Sequence, residues 1–442
     1  DLDDISGKEL YEYYKKVISE DQIDIFVLGD FSPSEMKEIF KLILLLVILS
    51  GCIENDEEII LNNSDLEDVS EYKRAEDLIC QFSERIDKEK GGTRSSTSQI
   101  ILSLAGKKSV VIPKIATRTG EISTDSVNMF IFDTEKDGRF GFAIATGKAE
   151  VGRVYAYVEN GILSDTIENE GMAYLVSQIP DIIKQDQLNP NLTRSGEQRT
   201  THVSIPLVKT EWNQHYPYNA QMPTNGKCSI SYYYAGCIPI AVAQAITYYR
   251  KCPVAYDWDA FTVNTGIYDT NLIAPVSQFV KKVADGIKVG YKCDGTGAKN
   301  LGSTNDFLKG WGYNVERHKT NDVDKNLLYK CLITKNVVIF GGKKKKSTGH
   351  VWLVDGGVFE YSGNMMIGCT NIQVKAIHCN FGWNRANNGW YAIKDGAYNR
   401  PANSASQDGN NPTNDKNSPN GNFYTENDYI YFHEAMGTEI LW

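Results

Sequence analysis

The stretch Tyr234-Ala235-Gly236-Cys237-Ile238-Pro239-Ile240-Ala241-Val242-Ala243-Gln244-Ala245-Ile246-Thr247-Tyr248-Tyr249 decides how the chain is read. Gly236 permits a tight turn and a close backbone approach. Pro239 suits the first turn of a helix, where its missing N–H costs nothing. Ala241, Ala243 and Ala245 let a buried helix pack closely. The segment therefore predicts a core helix that opens at Cys237. The helix dipole favours a thiolate at that end and is expected to lower the thiol pKa, as a nucleophile requires. Read alone, the same segment fits a buried structural cysteine equally well.

A thiolate nucleophile needs a base, and the chain offers six histidines. His350 stands out within Thr348-Gly349-His350-Val351-Trp352-Leu353-Val354-Asp355-Gly356. Gly349 clears space in front of the ring, and the apolar run predicts a strand that fixes it. A base on a rigid strand opposite a nucleophile on a rigid helix suits catalysis. Upstream, Trp212-Asn213-Gln214 supplies a side-chain amide that can join the Cys237 N–H in an oxyanion hole. Downstream, His378-Cys379-Asn380-Phe381-Gly382-Trp383 ends a strand, and Gly389-Trp390-Tyr391-Ala392-Ile393 begins another. The Asn380 oxygen is expected to accept from the imidazole and hold its tautomer, with the Trp383 indole shielding that bond.

In this order, Gln214, Gly236-Cys237, Gly349-His350 and Asn380-Phe381-Gly382-Trp383 resemble the streptopain family of bacterial cysteine peptidases. The resemblance implies an α+β, papain-like domain with Cys237 as nucleophile, His350 as base and Gln214 as oxyanion residue. Gly236, Gly349 and Trp383 would line the substrate cleft. It implies protein or peptide substrates and no cofactor or metal. Three places depart from the family pattern: Ile238-Pro239 stands for Val-Ala, Phe381 for Trp, and Asn403 to Asn422 for a Gly-rich loop. The Lys343–Lys346 run is no family feature and reads as a solvated hairpin loop.

Ahead of this block no catalytic set is legible. Residues 66–88 carry Val69, Tyr72, Ala75, Ile79, Phe82 and Ile86 at helical spacing. Strands are expected at Val127–Phe132, Phe140–Ala145 and Arg153–Val158, with turn chemistry at Glu135–Arg139, and a helix at 170–186. Phe140-Gly141-Phe142 and Val154-Tyr155-Ala156-Tyr157 resemble the family's pro-domain, which implies an intramolecular inhibitor at 66–190. Residues 191–204 have linker composition and read as an activation segment before a catalytic domain at 205–442, with cutting expected between about Gln187 and Val203.

The first residues carry a different signal. Met36 to Lys41 is a short charged region, Leu42 to Leu49 an apolar run, and Leu49-Ser50-Gly51-Cys52 resembles a bacterial lipobox. Residues 36–51 are thus expected to be a lipoprotein signal peptide, with lipid on Cys52 and a tether at 52–65. Residues 1–35 would then be upstream or fusion sequence. The expected location is extracytoplasmic, on a bacterial surface or periplasm-facing membrane through the lipid anchor alone, or free after processing.

Composition narrows the field. A net charge of -10 argues against a nucleic-acid partner, which would need clustered Lys and Arg. The nine cysteines form no C-x-x-C pair, and no H-E-x-x-H, phosphate-binding loop or G-x-S-x-G occurs. Two rivals to hydrolysis remain on this reading: an acyl transferase using the same Cys–His chemistry, and a non-catalytic surface binding protein on a dead peptidase fold.

Overall fold

In the computed structural model the described residues are 63–91, 99–113, 124–149, 151–188, 199–224, 231–263, 269–293, 295–298, 300–320, 323–343, 349–364, 368–394 and 427–434. The chain divides into two units, Asp1–Leu66 and Glu67–Trp442, and the sheet and the candidate site belong to the second. The expected signal peptide, Cys52, residues 52–62 of the tether and residues 1–35 lie outside the described residues, whereas residues 63–65 of the expected tether are helical. So do the Arg194–Gly196 stretch, Lys344 to Lys346 and the Asn403–Asn422 loop.

The architecture is α+β, as the sequence implies. Helix α1 (Asn63–Glu89) is followed by four antiparallel strands, β1 (Ile101–Pro113), β2 (Thr124–Lys136), β3 (Arg139–Thr146) and β4 (Arg153–Val158), then helix α2 (Glu170–Leu188). Strand β3 alternates its side chains between two covered faces. Phe142 and Ile144 join the core on which α2 packs, whereas Ala143 and Ala145 join the core under α1. Helix α1 buries Ala75, Ile79 and Ile86. Val69, expected on that stripe, is 68% exposed, because at 100° per residue it sits about 120° round from Ala75.

The remaining elements are β5 (Thr200–Ser204), α3 (Cys237–Tyr249), α4 (Trp258–Val263), α5 (Thr270–Ile287), β6 (Gly290–Lys292), β7 (Gly295–Gly297), α6 (Gly302–Gly310) and β8 (Val315–Thr320). They are completed by α7 (Lys325–Ile333), β9 (Val338–Lys343), β10 (Gly349–Asn364), β11 (Gly368–Asn380), β12 (Gly389–Tyr391) and β13 (Asn427–Phe432). One sheet runs in the order β1-β2-β3-β4-β12-β11-β10-β9-β13-β8. Its seam is the β4–β12 pair, in which Val158, Tyr157 and Ala156 face Gly389, Trp390 and Tyr391. The N-terminal strands therefore continue the C-terminal sheet edge to edge. Met172, Tyr174, Leu175, Ile179, Ile182 and Ile183 of α2 share a buried cluster with Phe340, Trp352, Ile377 and Phe381.

Residues 200–204, expected within the linker, instead form β5, paired with Gly357–Tyr361 of β10. The pattern of Val203 and Ser204 pointing into the core is too short to override the polar composition around it in a sequence reading. Beyond β5, the main-chain N–H of Leu207 donates to the Asp355 carbonyl and that of Val208 to the Asp355 carboxylate.

Candidate active site

Helix α3 opens at Cys237, as its sequence predicts. Gly236 takes φ 94, in the left-handed region, and a Cβ there would lie 2.6 Å from the Thr296 carbonyl oxygen. The close approach that Gly236 serves is thus to the chain's own β7, rather than to a bound peptide. Ten consecutive residues, Ile238 to Thr247, are buried, so α3 is fixed on nearly all sides.

His350 lies in β10, 4% exposed. Its Nε2 is 3.0 Å from the Phe381 main-chain oxygen. A carbonyl only accepts, so Nε2 carries the hydrogen and Nδ1 keeps the lone pair that can take a thiol proton. The ring stacks on Trp352 at 6.2 Å, with Phe381 at 6.3 Å and Trp383 edge-on at 6.5 Å. Trp383 is thus a neighbour of the ring, but the Asn380–imidazole bond that the sequence expects it to shield is not formed.

Asn380 does not hold the imidazole, which corrects the expectation drawn from its position. Its Nδ2 donates to the Thr210 carbonyl at 2.8 Å, and its Oδ1 accepts from Gly382 N at 3.2 Å and from Gln244 Nε2 at 3.3 Å. The Asn380 side chain, 2% exposed, is used up inside the fold, and the neighbouring Phe381 carbonyl takes the tautomer-setting role. No sequence signal marks such a role, since every residue carries a carbonyl.

Helix α3 and strand β10 meet through Val351, the residue after His350. Main-chain hydrogen bonding from Val351, Ile238 and Cys237 itself favours the thiolate. Burial outweighs it and pushes the thiol up to about 11. A helix start alone predicts the opposite direction, and the structure reverses it because Cys237, half-buried at the surface, is packed about by protein in the intact chain. Burial likewise pushes His350 down to about 4, against a smaller opposing effect of the Phe381 carbonyl. Among the described residues no hydrogen bond joins Cys237 to the His350 ring. Both groups are neutral at pH 7.

What covers the His350 ring is the start of α2. A Cβ on Gly171 would lie 2.9 Å from His350 Cδ2 and 2.8 Å from Phe381 Cδ1, so the helix backbone rests directly on the ring. The Glu170 carboxylate adds to the upward push on the Cys237 thiol. This first turn is held by Asn169, whose Oδ1 accepts from Met172 N at 2.9 Å. One turn on, Tyr174 packs on Trp352 and Phe340, and its hydroxyl donates to Asn427 Oδ1 at 2.6 Å. Sequence reading places a helix here but gives no sign that its start meets His350.

Gln214 is held close by. Its carbonyl accepts from Ala235 N at 2.8 Å, two residues before Cys237. Gly349 is exposed at the start of β10, opposite Lys343 of β9. Another histidine, His378, is committed elsewhere, with Nδ1 2.7 Å from the buried Asp355 carboxylate. Among the described residues no group of three or more His, Cys, Asp or Glu is placed to hold a metal ion.

Residues 253–391 match the family model described as Peptidase C10 family. The match takes in His350, Asn380 and Trp383 and begins after Cys237. No curated protein matches the chain. Two solved structures from Prevotella intermedia are similar to it. A prointerpain A fragment is 17% identical over 73% of this chain and 98% of its own, with a TM-score of 0.46. Active wild-type interpain A cysteine protease is 19% identical over 52% of this chain and 94% of its own, with a TM-score of 0.37. Over residues 253–391 the chain is thus similar to the Peptidase C10 family, the streptopain family of cysteine peptidases that its motifs resemble.

Proposed function

We propose that the chain is the latent precursor of an endopeptidase in which Cys237 attacks the peptide carbonyl and His350 is its base. In the uncovered enzyme Nδ1 of His350 takes the thiol proton, while the Phe381 carbonyl holds Nε2–H. The tetrahedral oxyanion is held by the Cys237 N–H at the start of α3 and by the Gln214 side-chain amide. His350 then passes the proton to the leaving amine, and water releases the acyl group. Gly349 and Trp383 border the bound peptide.

Residues 66–190 act as the inhibitor. The observation that carries this reading is the seat of Gly171 on the His350 ring, with the Glu170 charge disfavouring the Cys237 thiolate. A substrate cannot reach a base that is 4% exposed under a helix. Cutting between 189 and 199, ahead of β5, would leave the strand Thr200–Ser204 with the catalytic part. The reading extends to a lipid on Cys52 and an extracytoplasmic site. The order of charged region, apolar run and lipobox supports it, as does the disulfide at Cys293, a bond that persists in oxidising compartments. Mass analysis of the membrane fraction tests that part, and an unlipidated Cys52 would sink it.

The main test compares intact and trimmed chains on a fluorogenic peptide, with Cys237→Ala and His350→Ala alongside. The trimmed chain is expected to hydrolyse it, the intact chain to be at least a hundredfold slower, and both variants to be inert while still folded. Turnover by either variant near that of the wild type would overturn the assignment.

A further inference from the structure

The buried amide of Gln244 lies two helical turns from Cys237, and nothing in the mechanism above uses it. It is 0% exposed in the middle of α3. Its Oε1 accepts from Trp212 N at 3.0 Å, and its Nε2 donates to Asn380 Oδ1 at 3.3 Å. Each partner leads to a working part of the site. Trp212 lies two residues before Gln214. Asn380 immediately precedes Phe381, whose carbonyl holds the His350 ring, and the same Asn380 oxygen accepts from Gly382 N. Asn380 Nδ2 closes the loop on the Thr210 carbonyl, in the segment that carries Trp212 and Gln214.

From these contacts we infer that Gln244 is a positioning residue, which locks the nucleophile helix, the Phe381 carbonyl and the Gln214 segment into one register. These three segments come from distant parts of the chain, and no continuous element links them. A primary amide is suited to the task because it donates and accepts at once. A buried amide network with both members satisfied specifies one arrangement, whereas an apolar side chain would fill the space without fixing the register. Small errors matter here, since a misplacement of about 1 Å can cost about a hundredfold in rate.

The inference rests on the cysteine-peptidase reading, and the test keeps the two apart. The variants are Gln244→Leu, Asn380→Leu and the double variant. The control is Thr247→Val, which removes a buried hydroxyl on the same helix that bonds only the Ala243 carbonyl. The full chain is processed, and kcat, KM and the pH profile of kcat/KM are measured, together with the rate of Cys237 alkylation by iodoacetamide against pH. Gln244→Leu is expected to lower kcat by about 10- to 100-fold with KM within about twofold. It should also shift the pH at which Cys237 becomes reactive, while Thr247→Val leaves both readouts near wild type. The double variant should be about as slow as the slower single one, because the two amides act as a unit. Equal effects of Gln244→Leu and Thr247→Val, or fully additive losses, would overturn the role. If Gln244→Leu does not fold, Gln244→Met, which keeps the side-chain length, decides by the same criteria. If the wild type shows no Cys237-dependent hydrolysis, the peptidase reading fails, and the alkylation profiles alone decide on Gln244.

Discussion

The backbone of Gly171 lies on the imidazole of His350, close enough that a single added methyl would meet Cδ2 at 2.9 Å. This places the covering helix and the His350 ring in direct contact, with no room for a side chain between them. Gly171→Val should therefore strain the covered state. Overpacking of this kind costs about 1–3 kcal/mol. Since about 1.4 kcal/mol is a factor of ten in an equilibrium, the uncovered population should rise about 5- to 140-fold. The check is the rate at which a trace of active enzyme trims the Cys237→Ala chain with and without Gly171→Val. An unchanged rate would show that the contact does not hold the helix down.

Thiol reactivity reports the same cover. With the Cys237 thiol pushed up to about 11, only about one part in ten thousand is thiolate at pH 7. Alkylation of Cys237 in the intact chain should therefore be slow at neutral pH and climb throughout the alkaline range. Once the chain is trimmed and the cut segment removed, burial is relieved and the main-chain hydrogen bonds from Val351 and Ile238 remain, so the reactive range should move to lower pH. The measurement is mass-resolved labelling of Cys237 in both forms. Identical profiles would mean that α2 does not set the thiol's state.

Acid should loosen the intact chain through His350. Its folded pKa of about 4 lies below the ordinary 6.5, so the unfolded or uncovered state binds the proton more readily. The stabilisation by a neutral buried ring is complete above 6.5 and is lost as pH falls from 6.5 towards 4. The loss is about 2 kcal/mol by pH 5 and about 3 kcal/mol below pH 4. Melting temperatures of Cys237→Ala and of Cys237→Ala with His350→Leu, taken from pH 8 to pH 4.5, isolate this contribution. The chain that keeps His350 should fall faster in that window. Parallel curves would contradict the burial of a neutral ring.

Residue order alone makes much of this legible. The pattern at Arg153–Val158 predicts β4 to the residue, and Gly236-Cys237-Ile238-Pro239 predicts where α3 begins. Periodicity and turn residues are local, so they survive without knowledge of the fold. Features that depend on neighbours do not. The Asn380 amide faces two directions that only the tertiary structure reveals, and it is spent on Gln244 and Thr210 rather than on His350. The pKa of Cys237 turns on what lies above the helix start, which its own segment does not encode. Gln244 reads as one more residue of a buried helix, because its partners sit 32 and 136 residues away.

Cutting the chain ahead of β5 should not by itself free the site. The segment before the cut is tied to the rest by the β4–β12 pairing and by the buried cluster that α2 shares with β9, β10 and β11. These contacts need no covalent link, so the severed segment should stay bound and inhibitory until it is digested or displaced. Tyr174 is the point to weaken, since it packs on both Trp352 and Phe340 and its hydroxyl donates to Asn427. Loss of a large buried aromatic costs about 3–5 kcal/mol, which lowers the retention of the cut segment by about two to four orders of magnitude. The cut Cys237→Ala chain should run as one complex in size-exclusion chromatography, and the cut Cys237→Ala chain with Tyr174→Ala should separate into two fragments at micromolar concentration. Separation of the unmodified pair at once would mean that the covalent link, rather than the shared sheet and core, keeps the site closed.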